Sequence, residues 1–261
     1  MKPCTLSPDQ IDHFITDGCT ILRDAFPAHV AADVREFLWN EIGLSPTDPS
    51  GWTKHVIHLQ KTFNHGPFAA AYTDRIWGAF DDVLGAGRYV KQTHLGWWPI
   101  CFPGFEKAPW QPPTTGWHVD GIQFHHHVHS PDQGLLPIFL FSDMGPGDGG
   151  TAFSVGSHKI TAQILAEAEP AGLDVHALCQ RVLSRPGALA NVLPAIGQAG
   201  DVVLLHPFML HARSPNVGQS VRFLCNPCVS LHEPMNLNRT NPADYSPVER
   251  AIVQALAAPR S

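Results

Sequence analysis

The chain has 261 residues, with 17 Lys or Arg against 23 Asp or Glu and a formal net charge of −6 when histidines are neutral. Hydrophobic residues make up 44% and charged residues only 15%, a composition that excludes an intrinsically disordered chain. The negative charge and the lack of a Lys/Arg cluster argue against nucleic-acid binding, and no apolar run approaches the roughly 20 residues of a membrane span.

The first third of the sequence predicts mainly helices. Ser7-Pro8-Asp9-Gln10 is typical of a capping box that opens a helix, and Gly18 ends it. A short strand follows at Cys19–Leu22. Apolar residues at helical spacing predict two more helices, at about 27–42 and about 67–84.

The remainder predicts a β-rich core. A nearly uncharged loop at 97–117 holds four of the seven tryptophans, and we interpret it as a pocket wall or lid. Two helices, at about 159–169 and 174–184, form an insertion, and a second capping box at Ser246–Glu249 opens a C-terminal helix. The candidate strands are 88–100, 134–142, 201–205, 208–213 and 220–229.

A His-x-Asp motif gives the strongest local signal for chemistry. In a strand, residues i and i+2 point to the same face, so His118 and Asp120 can offer an imidazole nitrogen and a carboxylate oxygen to one metal ion. The motif alone is common by chance, so the prediction of a metal site needs a further ligand elsewhere in the chain.

His211 is the candidate third ligand. A turn at 214–218 predicts a hairpin that would set His211 opposite Arg222 on one face. Two histidines and one carboxylate form the facial triad of non-haem Fe(II) oxygenases. A guanidinium beside a metal ligand is explained if a 2-oxo acid chelates the metal and its far carboxylate reaches Arg222. His206 competes with His211 as the ligand, and the hairpin symmetry favours His211.

Together these residues resemble the phytanoyl-CoA dioxygenase-like family of Fe(II)/2-oxoglutarate oxygenases. The His-x-Asp motif, the distal His211 and Arg222 eleven residues later carry the resemblance. Three further segments are similar in character to segments of that family, namely GCTILRDAF at 18–26, GPGDGGTAFSVGSHK at 145–159 and GDVVLLHPFMLHARSPN at 200–216.

The resemblance implies a mainly β fold, a double-stranded β-helix (jelly-roll) core with flanking helices. It implies Fe(II), 2-oxoglutarate and O2 as cofactor and co-substrates, and hydroxylation of a small, partly apolar metabolite with release of succinate and CO2. The site residues that it implies are iron ligands His118, Asp120 and His211, with Arg222, Thr151 and Gln92 for 2-oxoglutarate.

Two positions depart from the family pattern. Some relatives carry Ser two residues after the distal histidine to help hold the co-substrate, where this chain has Arg213, and others carry Trp where it has Phe124. The carboxylate of Asp120 is present, whereas halogenating relatives lack it, so the resemblance implies oxygenation. The alternatives are a Zn or Mn hydrolase or isomerase, and a non-catalytic ligand-binding protein.

The resemblance and the absence of a clear boundary predict one domain over 1–261. It divides into a mostly helical part at 1–87, a jelly-roll core at 88–230 with a helical insertion at about 159–184, and a C-terminal tail and helix at 231–261. Six scattered cysteines and a first segment without the apolar stretch of a signal peptide predict a cytoplasmic protein. The expected partner is a small-molecule substrate, with no nucleic acid or membrane, and the oligomeric state stays open.

Overall fold

A computed structural model describes residues 4–258, which form nine β-strands and seven α-helices. The strands are β1 (Cys19–Leu22), β2 (Val56–Phe63), β3 (Leu95–Cys101), β4 (Leu136–Leu140), β5 (Ala152–Ser154), β6 (Val192–Pro194), β7 (Val202–Leu205), β8 (His211–Ala212) and β9 (Leu224–Cys225). The helices are α1 (Pro8–Asp17), α2 (Ala28–Ile42), α3 (Pro67–Ala70), α4 (Asp74–Leu84), α5 (Ser157–Ala168), α6 (Val175–Leu183) and α7 (Pro247–Ala257).

Capping residues set the helix ends that the sequence predicts. The Ser7 side chain accepts from the Gln10 N–H and the Gln10 side chain accepts from the Ser7 N–H, and Gly18 ends α1 with φ 80°. The predicted helix at 67–84 is instead two helices, α3 and α4. The side chain of Thr73 accepts from the N–H of Ile76 and starts α4 anew.

The strands build two antiparallel sheets and a separate two-stranded ribbon. One sheet has the order β1-β7-β4-β9, the other has the order β6-β5-β8, and β2 pairs with β3. Strand β1, from the part of the sequence predicted to be mostly helical, forms the edge of the four-stranded sheet by pairing Cys19–Leu22 with β7. The helical segment before residue 88 therefore also contributes to the β core.

Strand β4 shows where the core sits, because both of its faces are buried. Leu136, Ile138 and Leu140 point to a cluster that includes Phe153 of the opposite sheet, so this cluster lies between the two sheets. Phe139 points to the other side, into the larger cluster that the flanking helices share. Burial on both faces explains why the strand is a continuous apolar run rather than an alternating one.

Several strands differ from the predicted ranges. Strand β2 lies where the sequence analysis predicted none, and it pairs with β3 across a register shift between Leu59 and Thr62. Of the strand predicted at 88–100, β3 begins only at Leu95. Before it, Tyr89 forms an isolated bridge with Leu231. The polar residues Lys91, Gln92 and His94 before β3 favour a loop over a longer ladder.

The predicted hairpin between His211 and Arg222 is wrong. Strand β8, which begins with His211, pairs with β5 in the three-stranded sheet, whereas β9 pairs with β4 in the four-stranded sheet. The chain from 213 to 223 therefore crosses from one sheet to the other. Arg222 instead forms a backbone bridge with Cys101 at the end of β3.

The two helices of the predicted insertion are present as α5 and α6. Helix α5 packs against α6 and against α7, and α7 also contacts α1 and α4. Within residues 4–258, no helix is long and apolar enough to cross a membrane.

Candidate active site

Side chains from two separate parts of the chain, the His118/Asp120 pair and His211, converge at one end of the space between the sheets. One ligand atom from each of His118, Asp120 and His211 lies within 4.8 Å of the others. Asp120 Oδ1 is 3.4 Å from His118 Nε2 and 3.5 Å from His211 Nε2. The structure thus brings together the three predicted metal ligands.

Backbone contacts orient the two imidazoles. His118 and His211 form an isolated antiparallel bridge, with N–H to carbonyl distances of 2.9 Å in both directions. His118 Nδ1 lies 2.8 Å from the Gly116 carbonyl, and His211 Nδ1 lies 3.1 Å from the Met209 carbonyl. Because each Nδ1–H donates to a carbonyl oxygen, each Nε2 is left as a free lone pair facing Asp120, which is how metal-binding histidines are held.

Asp120 is held from its other side. Its Oδ2 accepts a hydrogen bond of 3.0 Å from the side-chain amide of Asn226, so that Oδ1 faces the two imidazoles. Burial would raise the pKa of the Asp120 carboxyl, but the imidazoles of His211 and His118, when they are protonated, hold that pKa well below its usual range. The carboxyl is therefore an anion at neutral pH.

These residues fit a divalent metal ion. His211 Nε2 is fully buried and has no hydrogen-bond partner within residues 4–258. A buried nitrogen without a partner is costly in a metal-free protein, and coordination to a metal ion satisfies it. Two imidazole nitrogens and one carboxylate oxygen are also the donor set of non-haem iron sites.

Arg222 is a buried cation in the same cavity. Its Nη1 donates to the Gly149 carbonyl at 2.6 Å and its Nη2 donates to the Pro99 carbonyl at 2.5 Å, while Nε has no hydrogen-bond partner among the residues that the structure describes. Among the ion pairs of residues 4–258, none includes Arg222. Burial lowers the pKa of this guanidinium. Since arginine stays charged in proteins, the arrangement calls for an anionic ligand.

A cavity of about 380 Å³ joins the triad to Arg222. Its walls come from both sheets and from the ribbon: His58, Leu59, Gln60, Trp97, Pro99, His118, Asp120, Thr151, His211, Ala212, Arg213, Arg222, Leu224 and Asn226. Thr151, which the resemblance implies as a contact of 2-oxoglutarate, is one of these lining residues and follows Gly150. A Cβ on Gly150 would lie 2.0 Å from the Ala195 carbonyl oxygen, so the close approach of the segment before β5 to the segment after β6 requires glycine there.

Other candidates lie outside the cavity lining. The amide of Gln92 donates to the Cys228 carbonyl at 2.6 Å. His206 is fully buried, and its Nε2 lies 3.3 Å from the Val248 carbonyl. A further cluster of histidines stands at 125–127 and 129, and none of them lines the cavity; His127 Nδ1 lies 3.1 Å from a carboxylate oxygen of Glu169. The structure therefore brings neither His206 nor the cluster to the triad.

Sequence reasoning missed Asn226 and Gln60, two polar residues that line the cavity. Asn226 lies between Cys225 and Cys228, in the segment 220–229 that the sequence predicts as a strand. Burial raises the pKa of the Cys228 thiol to about 12 and that of Cys225 far above its usual value, so neither is a reactive thiolate. Gln60 belongs to β2, a strand that the sequence analysis did not predict. Trp97 lies in the segment 97–117 that was interpreted as a pocket wall or lid, and it lines the cavity.

Two opposed sheets with a His-Asp-His cluster at one end of the space between them define a metal-binding jelly-roll protein. The sequence profile of the Phytanoyl-CoA dioxygenase (PhyH) family matches residues 16–224. The chain belongs to this family, as the motifs in the sequence suggested.

A curated relative is the Ava biosynthesis cluster protein O of Aspergillus versicolor. It is 28% identical over 173 residues, which are 61% of this chain and 53% of that protein. The chain thus spans about half the length of the curated relative that it matches.

Solved structures share the fold. The epimerase SnoN, in complex with Fe3+, alpha-ketoglutarate and nogalamycin RO, has a TM-score of 0.55 at 15% identity and covers 85% of this chain and 82% of its own. EctD from S. alaskensis, with 2-oxoglutarate and 5-hydroxyectoine, has a TM-score of 0.54 at 18% identity, covering 88% and 78%. HygX from Streptomyces hygroscopicus, with nickel and 2-oxoglutarate, has a TM-score of 0.51 at 16% identity, covering 87% and 88%. The predicted jelly-roll core with flanking helices is confirmed.

Proposed function

We propose that this chain is an Fe(II)- and 2-oxoglutarate-dependent oxygenase that hydroxylates a small, partly apolar metabolite. One observation carries the proposal: the buried, unpartnered His211 Nε2 faces Asp120 Oδ1 together with His118 Nε2. Membership of the Phytanoyl-CoA dioxygenase family supports the same chemistry.

Each residue of the triad has a defined task. His118, Asp120 and His211 hold Fe(II), and three protein ligands leave coordination positions open for the co-substrates. When bound, Fe(II) with 2-oxoglutarate and O2 supplies the oxidising chemistry, and succinate and CO2 leave. The carbonyls of Gly116 and Met209 keep the two imidazoles in the tautomer that binds metal.

Arg222 holds the far carboxylate of 2-oxoglutarate in this proposal. Its guanidinium is fixed by two backbone carbonyls and has no carboxylate partner within residues 4–258, so the co-substrate would supply the missing negative charge. Thr151 lines the same cavity and its hydroxyl makes no hydrogen bond to the described residues, which leaves it free for that carboxylate.

The rest of the cavity supports a small, partly apolar substrate. Leu59, Trp97 and Leu224 line it beside polar groups, and its volume of about 380 Å³ suits a small molecule. The relatives SnoN and EctD have nogalamycin RO and 5-hydroxyectoine bound. All six cysteines lie within residues 4–258 and are free thiols, which supports the expected cytoplasmic location.

Loading with Fe(II) and 2-oxoglutarate under anaerobic conditions tests the site. We expect the weak visible charge-transfer band of the chelate in the wild type, and its loss in His118→Ala and Asp120→Ala. His176→Ala removes an exposed histidine of α6 and should keep the band. A hydrolase, an isomerase with Zn or Mn, or a non-catalytic protein would give no band, and a band that survives in both triad variants would contradict the ligand assignment.

Product analysis tests the reaction itself. Candidate metabolites incubated with the loaded enzyme should gain one oxygen atom by mass spectrometry while succinate is released. A product of unchanged mass formed together with succinate would indicate epimerisation and would contradict hydroxylation.

A further inference from the structure

The outer half of the cavity carries a second arginine that the triad does not use. Arg213 is exposed at the cavity wall, whereas Arg222 is buried with only 2% of its surface accessible. The Nη1 of Arg213 donates to His55 Nε2 at 3.1 Å. Burial, and to a smaller extent the positive charge of Arg213, lowers the pKa of the His55 imidazole. His55 is therefore a neutral acceptor that orients the guanidinium.

The charges that line the cavity do not balance. Its ionised side chains are the carboxylate of Asp120 and the guanidiniums of Arg213 and Arg222. Glu106 approaches His55 Nδ1 at 3.6 Å, but it forms no ion pair with Arg213 and is not part of the lining. A divalent metal ion and dianionic 2-oxoglutarate cancel each other, so the loaded cavity retains one excess positive charge.

An aromatic side chain, that of Trp97, also lines the cavity. Trp97 is 67% exposed although it belongs to β3, and its φ of 58° is rare for a residue with a side chain. The register shift between Leu59 and Thr62 in β2 faces it across the ribbon. Its neighbour Trp98 is fully buried against Phe68. The bulge thus presents a flat apolar surface to the cavity instead of burying it.

We infer that the substrate is an aryl or similarly flat apolar compound that carries an oxyanion, with the oxyanion on Arg213 and the ring against Trp97. The inference rests on the proposed function, because the charge count assumes a loaded site. The oxyanion is a carboxylate or a phosphate, both of which an arginine fork binds in the same way. Arg213 and Trp97 are then specificity-determining residues of the outer cavity.

Equilibrium dialysis under anaerobic conditions, on protein loaded with Fe(II) and 2-oxoglutarate, tests the role of Arg213. The probes are indole-3-acetate, 3-phenylpropionate and phenyl phosphate, with indole-3-acetamide and 3-phenylpropionamide as neutral matches. We expect the acids to bind about tenfold more tightly than the amides, as one charge-assisted hydrogen-bonded pair provides. Preference for phenyl phosphate over the carboxylates would identify a phosphate as the oxyanion, and the reverse would identify a carboxylate.

Three variants locate the preference. Arg213→Gln should bring the ratio of acid to amide affinity close to one, and Arg213→Lys should retain part of it. Arg185→Gln, which removes one positive charge from a surface pair with Glu167, should leave the ratio unchanged. The inference is overturned if the wild type shows no preference for acids, or if the preference survives in Arg213→Gln.

A different outcome would assign Arg213 to the co-substrate. If Arg213→Gln raises the 2-oxoglutarate concentration needed for loading but keeps the acid preference, Arg213 holds 2-oxoglutarate and the inference is wrong. If the wild-type protein does not bind Fe(II) and 2-oxoglutarate, both the proposed function and this inference are wrong. Loaded protein that does not distinguish acids from amides removes this inference alone.

Trp97→Ala tests the ring contact separately. It should lower the affinity for 3-phenylpropionate relative to the aliphatic hexanoate, about tenfold, without changing the ratio of acid to amide affinity. An unchanged ratio of aryl to aliphatic affinity would contradict the assignment of Trp97.

Discussion

The side-chain amide of Asn226 donates to Asp120 Oδ2 at 3.0 Å and so turns Oδ1 toward both imidazoles of the triad. Asn226 follows β9 in the four-stranded sheet, whereas His211 lies in the three-stranded sheet. This hydrogen bond therefore ties the orientation of the carboxylate to the sheet that does not carry the distal histidine.

Asn226→Ala should weaken metal binding without removing a metal ligand. A carboxylate that loses its supporting hydrogen bond can rotate away from the metal ion. Loss of a residue that hydrogen-bonds a metal ligand typically lowers metal affinity by about 10- to 100-fold. Titration of apo-protein with Fe(II) under anaerobic conditions measures the change. Asn238→Ala, at an exposed position, is the matched control and should bind as the wild type does. Equal affinity in the two variants would contradict the supporting role of Asn226.

Arg222→Lys should raise the 2-oxoglutarate concentration for half-maximal loading by at least about tenfold, because lysine keeps the charge but loses the planar fork. The intensity of the visible chelate band against 2-oxoglutarate concentration gives the value. Arg185→Lys is the control for the same substitution at a surface site. An unchanged requirement in Arg222→Lys would remove Arg222 from the co-substrate site.

Glu249 is a buried carboxylate at the start of α7. Burial would raise its pKa, but hydrogen bonds from Arg88, Arg239 and the N–H of Ser246 lower that pKa to about 2. A lowered folded-state pKa stabilises the protein above the unfolded value of 4.5, and this stability is lost as the pH falls toward 2.

Glu249→Gln should therefore lower the free energy of unfolding by about 3 kcal/mol at pH 7, and by less at pH 3. Urea unfolding at both pH values measures the difference from the wild type. Glu167→Gln breaks a surface pair and should cost no more than about 1 kcal/mol. A Glu249→Gln deficit that is equally large at pH 3 would show that lost packing, not lost charge, is responsible.

His158 should make folding sensitive to mild acid. It is fully buried, its ring lies 4.9 Å from that of His206, and burial lowers its pKa to about 3. The unfolded chain takes up a proton near pH 6.5 while the folded chain does not, so stability is full above pH 6.5 and falls as the pH drops toward 3.

Between pH 7 and pH 5, the unfolding free energy of His158→Gln should fall by about 2 kcal/mol less than that of the wild type. The variant is expected to be less stable than the wild type at pH 7, so the measurement that matters is the slope with pH. His13→Gln, at an exposed position of α1, should keep the wild-type slope. The same slope in His158→Gln and the wild type would contradict the assignment.

The proximity of His118 and Asp120 could be predicted because this pair carries a local signal, whereas His211 was chosen with the help of a hairpin that the structure does not contain. His118 and Asp120 are separated by one residue, and alternation alone puts them on one face of an extended segment. The starts of α1 and α7 could be predicted equally well, because Ser7 and Ser246 each open a capping box that depends on only four residues.

The errors arose where pairing depends on distant parts of the chain. The segment from 213 to 223 contains turn residues that favour a hairpin, but pairing of β8 with β5 and of β9 with β4 overrides this local preference. The 58° φ of Trp97 and the contact of Asn226 with Asp120 depend on strands more than 30 residues away, for which the sequence offers no spacing rule.

The hydrogen bond from Arg222 to the Pro99 carbonyl has a consequence for how the two ends of the cavity are filled. Pro99 lies two residues from Trp97 on the same strand, and the backbones of Cys101 and Arg222 are also bonded to each other. An anion that binds the Arg222 guanidinium and fixes its position therefore also stabilises β3, the strand that carries the Trp97 side chain. Binding of 2-oxoglutarate at Arg222 and binding of the substrate at Trp97 should consequently show positive cooperativity. Each of the two should lower the dissociation constant of the other by the same factor.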